Sequence, residues 1–298
     1  MSYASREGTI WMDGKKLQWQ NANIHILTHS LHYGVAAFEG IRAYETDKGT
    51  AIFRLSDHVK RLFQTAHILG MEVPYSEKEI SKACVDSVID NKLTSAYIRP
   101  LIYYGSEGMG LHAKDLSVHV AIAAWYWGAY LGNEALEKGI RVKTSSYTRH
   151  MVNSVMCRAK ATGNYINSVI ALQEVAKDGY DEALLLDNEG MVAEGTGENI
   201  FIIRNNKIYT PELTSALEGI TRETVISIAK EQGYEIIEKR ITRDEVYIAD
   251  EVFFTGTAAE VTPVRELDGR KIGEGKIGPI TSLLQADYLG IVKGEKKH

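Results

Sequence analysis

Residues 181–211 read "DEALLLDNEGMVAEGTGENIFIIRNNKIYTP", and the folding of this stretch decides the class of the second half of the chain. Short apolar runs alternate with tight polar turns at Asn188–Gly190 and Asn205–Asn206, the pattern of a meander of short strands. Turns this short argue for antiparallel sheet and against βαβ repeats. Upstream, "GIRVKTSSYT" from Gly139 reads as extended, and a helix follows with Tyr165, Val169, Leu172 and Ala176 on one face. Downstream, "GITRETVISIAKEQG" reads as a helix with Thr221 near its start and Gly233 at its C′ position. Thr242 and Glu245 form a capping box before the strand "DEVFFTG", and the chain closes on the amphipathic run "ITSLLQADYLGIV".

The first half is organised differently. "TIWMDGKKLQW" is a hairpin about Asp13-Gly14, a pair suited to a type I′ turn, and a second hairpin runs through "GIRAYETDKGTAIFRL". In "SDHVKRLFQTAHILGM", Val59, Leu62, Phe63, Ala66 and Leu69 recur at helical spacing, with Ser56 as the expected N-cap. Ser76 and Glu79 make a second capping box, and "AYIRPLIYYG" and "HVAIAAWYW" are strand-like. Pro100 in the former points to an edge strand or a strand end. Glycines at 128, 132 and 139 loosen the chain where a domain boundary is expected.

Composition bounds the function. The chain has 298 residues, 44% hydrophobic and 24% charged, which is ordinary for a globular protein. A net charge of −5 gives no reason to expect nucleic acid as a partner. Cys84 and Cys157, the two cysteines, suggest a reducing compartment without a disulfide framework. "VAIAAWYWGAYL" from Val120 is the longest apolar stretch, well short of the ~18 residues a membrane span needs. "MSYASREGTIW" has neither a basic start nor an apolar stretch of the signal-peptide kind, so a cytoplasmic protein is expected.

Several motifs are decoys. "GEGKIG" at 273–278 matches a dinucleotide fingerprint in form, but Pro279 follows at once and no βαβ unit continues, so these read as loop glycines. The nine histidines show no zinc spacing; His25, His29 and His32 lack carboxylate partners nearby, and no metal is expected. No G-x-S-x-G elbow or P-loop is present.

Three glycine- and hydroxyl-rich turns are harder to dismiss: "AEGTGEN" at 193, "EGITRE" at 218 and "TGTAAE" at 255. They present backbone amides without bulk, and "GIT" does so at a helix N-terminus, where amides and dipole favour phosphate. Upstream, Lys160 sits in "CRAKATGN" among Ala159, Ala161 and Gly163, which leave a lysine room to swing. A lysine amine can form a Schiff base with pyridoxal phosphate, whose ring nitrogen must then stay protonated by a facing carboxylate. Glu194 is the candidate, against the plainer reading of an exposed strand-end glutamate.

"AKATGNY", "DEALLLDNEGMVAEGTGENIFII", "LEGITRE" and "DEVFFTGTAAEVTPV" resemble, in order and spacing, the class IV, fold-type IV pyridoxal-phosphate aminotransferases. "SLHYGVAAFEGIRAYE", "FRLSDHVKRL", "AYIRPLIYYG" and "WGAYLG" narrow the resemblance to the branched-chain amino-acid aminotransferases, over nearly the whole chain. The resemblance implies an α+β fold: a small α/β domain over 1–122, an interdomain loop over 123–133 and a larger pseudo-barrel domain over 134–298. It places the active site at the domain interface. It also implies a homodimer, which could extend to a hexamer as a trimer of dimers.

The implied cofactor is pyridoxal 5′-phosphate. Lys160 would carry it and shuttle the proton; Glu194 would pair with the ring nitrogen and Tyr165 with the ring hydroxyl. Arg61, Thr257 and the amides at Ile220 and Thr221 would hold the phosphate, with Leu217, Gly219 and Gly256 lining the ring and its phosphate loop. For the substrate, Phe38, Gly40, Trp127, Tyr165 and a second subunit's Met109 and Leu111 would supply an apolar wall. Arg99, Tyr33 and Tyr130 would meet the distal carboxylate of glutamate, and Thr257, Ala258 and Tyr97 the α-carboxylate. The implied reaction takes the amino group of L-leucine, L-isoleucine or L-valine to 2-oxoglutarate in two half-reactions. It gives branched-chain 2-oxo acids and L-glutamate, with no nucleic acid or membrane partner. The same fold also serves D-amino-acid and (R)-amine transaminases and aminodeoxychorismate lyases, which "YIRP" and "FEGIRAYE" argue against. One departure is Glu218, where the family commonly has proline, in a loop one residue shorter than in some members.

Overall fold

The computed structural model describes residues 2–112, 115–128 and 132–296, and the chain divides into two compact units. Unit 1 comprises Met1–Trp127 together with Ala159–Gly163; unit 2 comprises Gly128–Arg158 and Asn164–His298.

Unit 1 starts with the hairpin of β1 (Thr9–Met12) and β2 (Lys15–Gln18), turned by Asp13 and Gly14, both at positive φ as the I′ turn requires. Then come α1 (His29–Tyr33), β3 (Ala36–Phe38), β4 (Ile41–Thr46), β5 (Gly49–Ile52), α2 (Leu55–Ile68), α3 (Glu77–Asp90), β6 (Ala96–Tyr104) and β7 (Val118–Trp125). The strands form one sheet in the order β2-β1-β7-β6-β4-β5, with β3 also on β6. Helices α2 and α3 bury Val59, Leu62, Ala66, Ile80, Ala83 and Val88 with sheet residues Ile41, Ile98, Ile102, Val120 and Ile122. The Ser76–Glu79 capping box forms with both of its reciprocal bonds.

Two expectations fail here. Helix α2 begins at Leu55, with Arg54 in the left-handed region as N-cap, so Ser56 lies inside the first turn. Arg54 instead fixes the entry through Asp57, donating from Nε at 2.6 Å. Pro100 is neither at an edge nor at a strand end: β6 runs through the middle of the sheet. Its outer partner is interrupted there. β4 pairs with Ala96, Tyr97 and Ile98, β3 pairs with Leu101, Ile102 and Tyr103, and the chain turns at Glu39 and Gly40 in the gap. A proline opposite that gap costs no ladder bond on that side, and its carbonyl accepts from Glu39 N at 3.0 Å.

Unit 2 contains α4 (Asn133–Lys138), β8 (Ile140–Thr144), α5 (Ile166–Lys177), β9 (Glu182–Leu186), β10 (Val192–Glu194), β11 (Asn199–Arg204) and β12 (Lys207–Thr210). It continues with α6 (Ile220–Glu231), β13 (Ile236–Glu238), α7 (Arg243–Tyr247), β14 (Glu251–Gly256), β15 (Glu260–Leu267), β16 (Arg270–Lys271) and α8 (Pro279–Val292). The sheet order is β10-β9-β8-β15-β14-β11-β12-β13, with β16 on β15. The 181–211 stretch folds into its short strands, with Asn205 and Asn206 both left-handed in their turn.

The sheet, however, is mixed. β8 pairs parallel with β9 and with β15, and β12 pairs parallel with β13. Helices α5 and α6 each connect one of these pairs, so two βαβ crossovers sit beside the hairpins. The predicted face of α5 is also corrected: Ser168, Ala171 and Val175 are buried, whereas Val169 is 53% and Ile166 63% exposed. The helix is apolar on most sides, so periodicity alone did not select the face that packs. Glycines 273 and 275 are left-handed loop residues between β16 and α8, as expected of the decoy.

Candidate active site

The candidate residues fall into two sets, one in each unit. In unit 1, Lys160 is tied down by its backbone. Its N–H donates to the buried Thr65 hydroxyl at 3.0 Å and its carbonyl accepts from Phe38 N at 3.1 Å. Ala161 bridges to Ala37, and Gly34 O accepts from both Thr162 Oγ1 (2.7 Å) and Gly163 N (2.9 Å). The segment therefore behaves as an extra strand of unit 1. Its small residues follow from that closeness: Ala159 and Ala161 are buried, and a Cβ on Gly163 would lie 3.1 Å from Gly34 O. The Lys160 amine stands over the Phe38 ring, 4.9 Å from its centroid.

Arg61 projects from α2 into a charged cluster. Its Nε and Nη2 donate to the two oxygens of Glu39 at 2.6 and 2.9 Å, and His58 Nδ1 donates to Glu39 Oε2 at 2.7 Å. Glu39 is fully buried; burial alone would push its carboxyl up, but Arg61 and His58 reverse this and hold it well below the usual carboxylate range. Burial depresses His58 from its ordinary value, Glu39 opposes this in part, and Arg61 and Lys160 add to the depression.

Arg99 lies on an aromatic floor. Its guanidinium is 4.8 Å from the Phe38 centroid and 5.2 Å from that of Tyr97, and Nη2 donates to Tyr97 Oη at 2.9 Å. Its buried Nε makes no hydrogen bond among the described residues. Tyr97 is wedged edge-on against Trp127 at 4.6 Å, and Gly40 makes room for it, since a Cβ there would be 1.9 Å from the hydroxyl. Tyr33 accepts from Gly110 N at 3.1 Å, and His29 Nε2 contacts Gly110 O at 2.7 Å, so the 105–112 loop is anchored on α1. Met109 and Leu111 project from it, 49% and 86% exposed. Tyr130 lies outside the described residues.

In unit 2, Glu194 ends β10 but is buried, which removes the reading of an exposed glutamate. Its Oε1 is ion-paired to Arg149 Nε at 2.5 Å, and Oε2 accepts from Asn199 Nδ2 and Leu217 N, each at 3.2 Å. Arg149, itself buried, also donates to His150 Nε2 at 3.0 Å and Asn164 O at 3.3 Å. Asn199 further holds Leu217 O at 2.9 Å, and a Cβ on Gly219 would lie 2.0 Å from its Oδ1. Leu217 and Gly219 are thus pinned to the strand that orients Glu194.

Gly219 is the N-cap of α6 and, having no side chain, makes no capping bond itself. First-turn amides have no acceptor within a helix, so the Ile220–Thr221 end is suited to an anion. Glu218 is exposed and ion-paired to Arg158 at 2.7 Å. Gly256, Thr257 and Ala258 form the end of β14 and its turn to β15, and Tyr165 is half-buried at the start of α5. Taken unit by unit, these groups fit the chemistry of pyridoxal 5′-phosphate: an amine and an arginine in unit 1, a buried carboxylate and a helix start with a glycine cradle in unit 2. No group of metal-ligating side chains occurs among the described residues.

Glu39, His58, Thr65 and Arg149 were not expected from sequence. His58, Arg61 and Thr65 recur at i, i+3 and i+7 on a helix face that is otherwise apolar, which is the signal that could have found His58 and Thr65.

The profile of the family described as amino-transferase class IV matches residues 36–267. The chain belongs to the class IV aminotransferases. It is similar to the branched-chain-amino-acid aminotransferase of Pseudomonas aeruginosa, at 62% identity over 99% of this chain and 96% of that protein. The crystal structure of the Escherichia coli branched-chain amino acid aminotransferase superposes with a TM-score of 0.96 at 45% identity, covering 98% of this chain and 97% of that one. A T.th. branched-chain amino acid aminotransferase complexed with N-(5′-phosphopyridoxyl)-L-glutamate gives a TM-score of 0.94 at 49% identity, covering 98% and 96%. This aminotransferase therefore has the mixed α/β fold expected of it.

Proposed function

We propose that this aminotransferase moves the amino group of L-leucine, L-isoleucine or L-valine to 2-oxoglutarate, using pyridoxal 5′-phosphate, in the cytoplasm. The observation that carries the substrate reading is Arg99. One pocket must accept both an aliphatic chain and a carboxylate, which requires a cation that does not spoil an apolar wall. Arg99 lies over Phe38 and Tyr97 with a buried N–H that makes no hydrogen bond among the described residues, so it meets a distal carboxylate while the rings meet a leucyl side chain.

The cofactor, when bound, supplies an electron sink for charge developing at the substrate α-carbon. Lys160 carries it and moves the proton at that carbon, its backbone fixed and its amine over Phe38. Glu194, kept anionic by Arg149, Asn199 and the Leu217 amide, holds a proton on the ring nitrogen. Tyr165 hydrogen-bonds the ring hydroxyl. Arg61, Thr257 and the start of α6 bind the phosphate; Leu217, Gly219 and Gly256 line it. Thr257 and Ala258 amides with Tyr97 take the α-carboxylate, and Tyr33 and Tyr130 meet the distal carboxylate of glutamate together with Arg99.

A homodimer completes the pocket with Met109 and Leu111 of a second copy, and three dimers can make a hexamer. Ile24, Ile26, Leu27 and Leu31 in unit 1 and Met151, Val152, Met156, Ile166 and Val169 in unit 2 are more than a third exposed, apolar surface suited to such an interface. Absorbance of the purified full chain tests the reading. A yellow protein is expected, bleached by L-leucine and restored by 2-oxoglutarate, with light scattering reporting at least a dimer. Conversion by D-alanine or (R)-1-phenylethylamine but not by L-leucine would transfer the chain to the other members of the fold.

A further inference from the structure

Glu39 presents a physical puzzle. A fully buried carboxylate beside the arginine read as the phosphate ligand should weaken anion binding, and burying it is costly. Its surroundings resolve this. Two side chains of one stripe of α2 hold it, Arg61 through two parallel bonds and His58 through a third. Two parallel N–H···O bonds fix a guanidinium in plane and rotation, as a single contact does not. The next polar residue on the stripe, Thr65, holds the Lys160 N–H. Glu39 itself is anchored at the strand gap through its N–H to Pro100 O.

We infer that Glu39 is a positioning residue for cofactor capture: its two parallel bonds hold the Arg61 guanidinium in the orientation in which it meets the phosphate, and His58 braces the carboxylate. The inference rests on the reading of Arg61 as phosphate ligand. A preset arginine raises affinity by removing the ordering cost from binding. Glu39→Gln breaks the lock with little change of shape, because whichever way the amide turns, one Arg61 N–H faces an NH2 group.

The test uses the full-length chain equilibrated by dialysis with pyridoxal 5′-phosphate or with pyridoxal, bound chromophore being read by absorbance. Glu39→Gln should weaken pyridoxal 5′-phosphate about tenfold, the size of one lost net hydrogen bond, and leave pyridoxal unchanged. A merely structural Glu39 would shift both affinities together or neither, and relief of charge repulsion would tighten the phosphorylated form; either result overturns the inference. Glu39→Asp withdraws the carboxylate by one methylene and gives the same readout if the glutamine variant does not fold, an unchanged ratio again being refuting. Arg61→Ala run in parallel separates the two failures. If it leaves the ratio untouched, the phosphate assignment is wrong; if it alone collapses the ratio, the assignment stands and the role of Glu39 falls.

Discussion

Gly40→Ala is a one-carbon change whose effect can be worked from the structure. The new Cβ would stand 1.9 Å from Tyr97 Oη and 2.7 Å from Cζ. Contacts of this kind settle at about 3.5–4.0 Å, so Cζ must retreat by about 1 Å and the hydroxyl by about 1.5–2 Å. Trp127 at 4.6 Å and Trp125 at 5.3 Å block the retreat, and the hydroxyl is bonded to Arg99. Overpacking of this kind costs about 1–3 kcal/mol. Taking about 2 kcal/mol, the melting temperature should fall by roughly 4–8 °C for a chain of this size. Because Arg99 loses its hydroxyl anchor, KM for L-glutamate should rise more than KM for L-leucine. Tyr97→Phe in the Gly40→Ala background removes the atom at 1.9 Å but not the one at 2.7 Å, so it should recover part of the lost stability. Calorimetry on the four proteins of this cycle checks the reasoning. Strictly additive effects, or a Gly40→Ala protein that melts with the wild type, would refute it.

Two further predictions concern buried charge. Arg149→Met removes the guanidinium paired with the buried Glu194 carboxylate, so unfolding free energy should drop by about 3–5 kcal/mol, and adding Glu194→Gln should return part of it in urea titrations. Acid should weaken the fold in two stages. Burial lowers His58 from 6.5, and burial with Arg149 lowers His150 from 6.5 to about 4. Their unfolded forms bind more protons, so this stability is complete above about pH 6.5 and is lost as pH falls from there through the folded values. Glu39 adds a stage that begins near its ordinary value of 4.5 and extends below the usual carboxylate range. Urea midpoints should be level from about pH 8 to 7 and fall from about pH 6 to 5; a flat profile down to that point would contradict the burial of both imidazoles.

Much of this was legible because the chemistry depends on local signals. The Asp13-Gly14 turn, the Ser76–Glu79 box and the Asn205–Asn206 turn are each set by a few adjacent residues, and each formed. Lys160 stood out because small neighbours around a lysine are unusual, and the structure supplies the cause: that segment pairs closely with Gly34 and Ala37. What stayed hidden depends on partners distant in sequence. Pro100 sits mid-sheet only because β3 and β4 part opposite it, and the parallel pairing of β8 with β9 is invisible in the antiparallel look of the strands that follow. Glu39 next to Phe38 reads as any glutamate until α2 folds over it. Ser56 looked like a better cap than Arg54, but an ion pair to Asp57, not a local hydroxyl, sets where α2 starts.

The membership of Ala159–Gly163 in unit 1 has a consequence for synthesis. When the ribosome has delivered Trp127, the Phe38 amide, the Gly34 carbonyl and the Thr65 hydroxyl still await partners that lie more than thirty residues ahead. A nascent chain arrested there would hold an incomplete unit, whereas one arrested beyond Gly163, with that residue clear of the exit tunnel, would not. The lysine proposed to carry the cofactor is thus also the closing piece of the earlier-made half, and stalling experiments across this window should find protease resistance appearing only once it emerges.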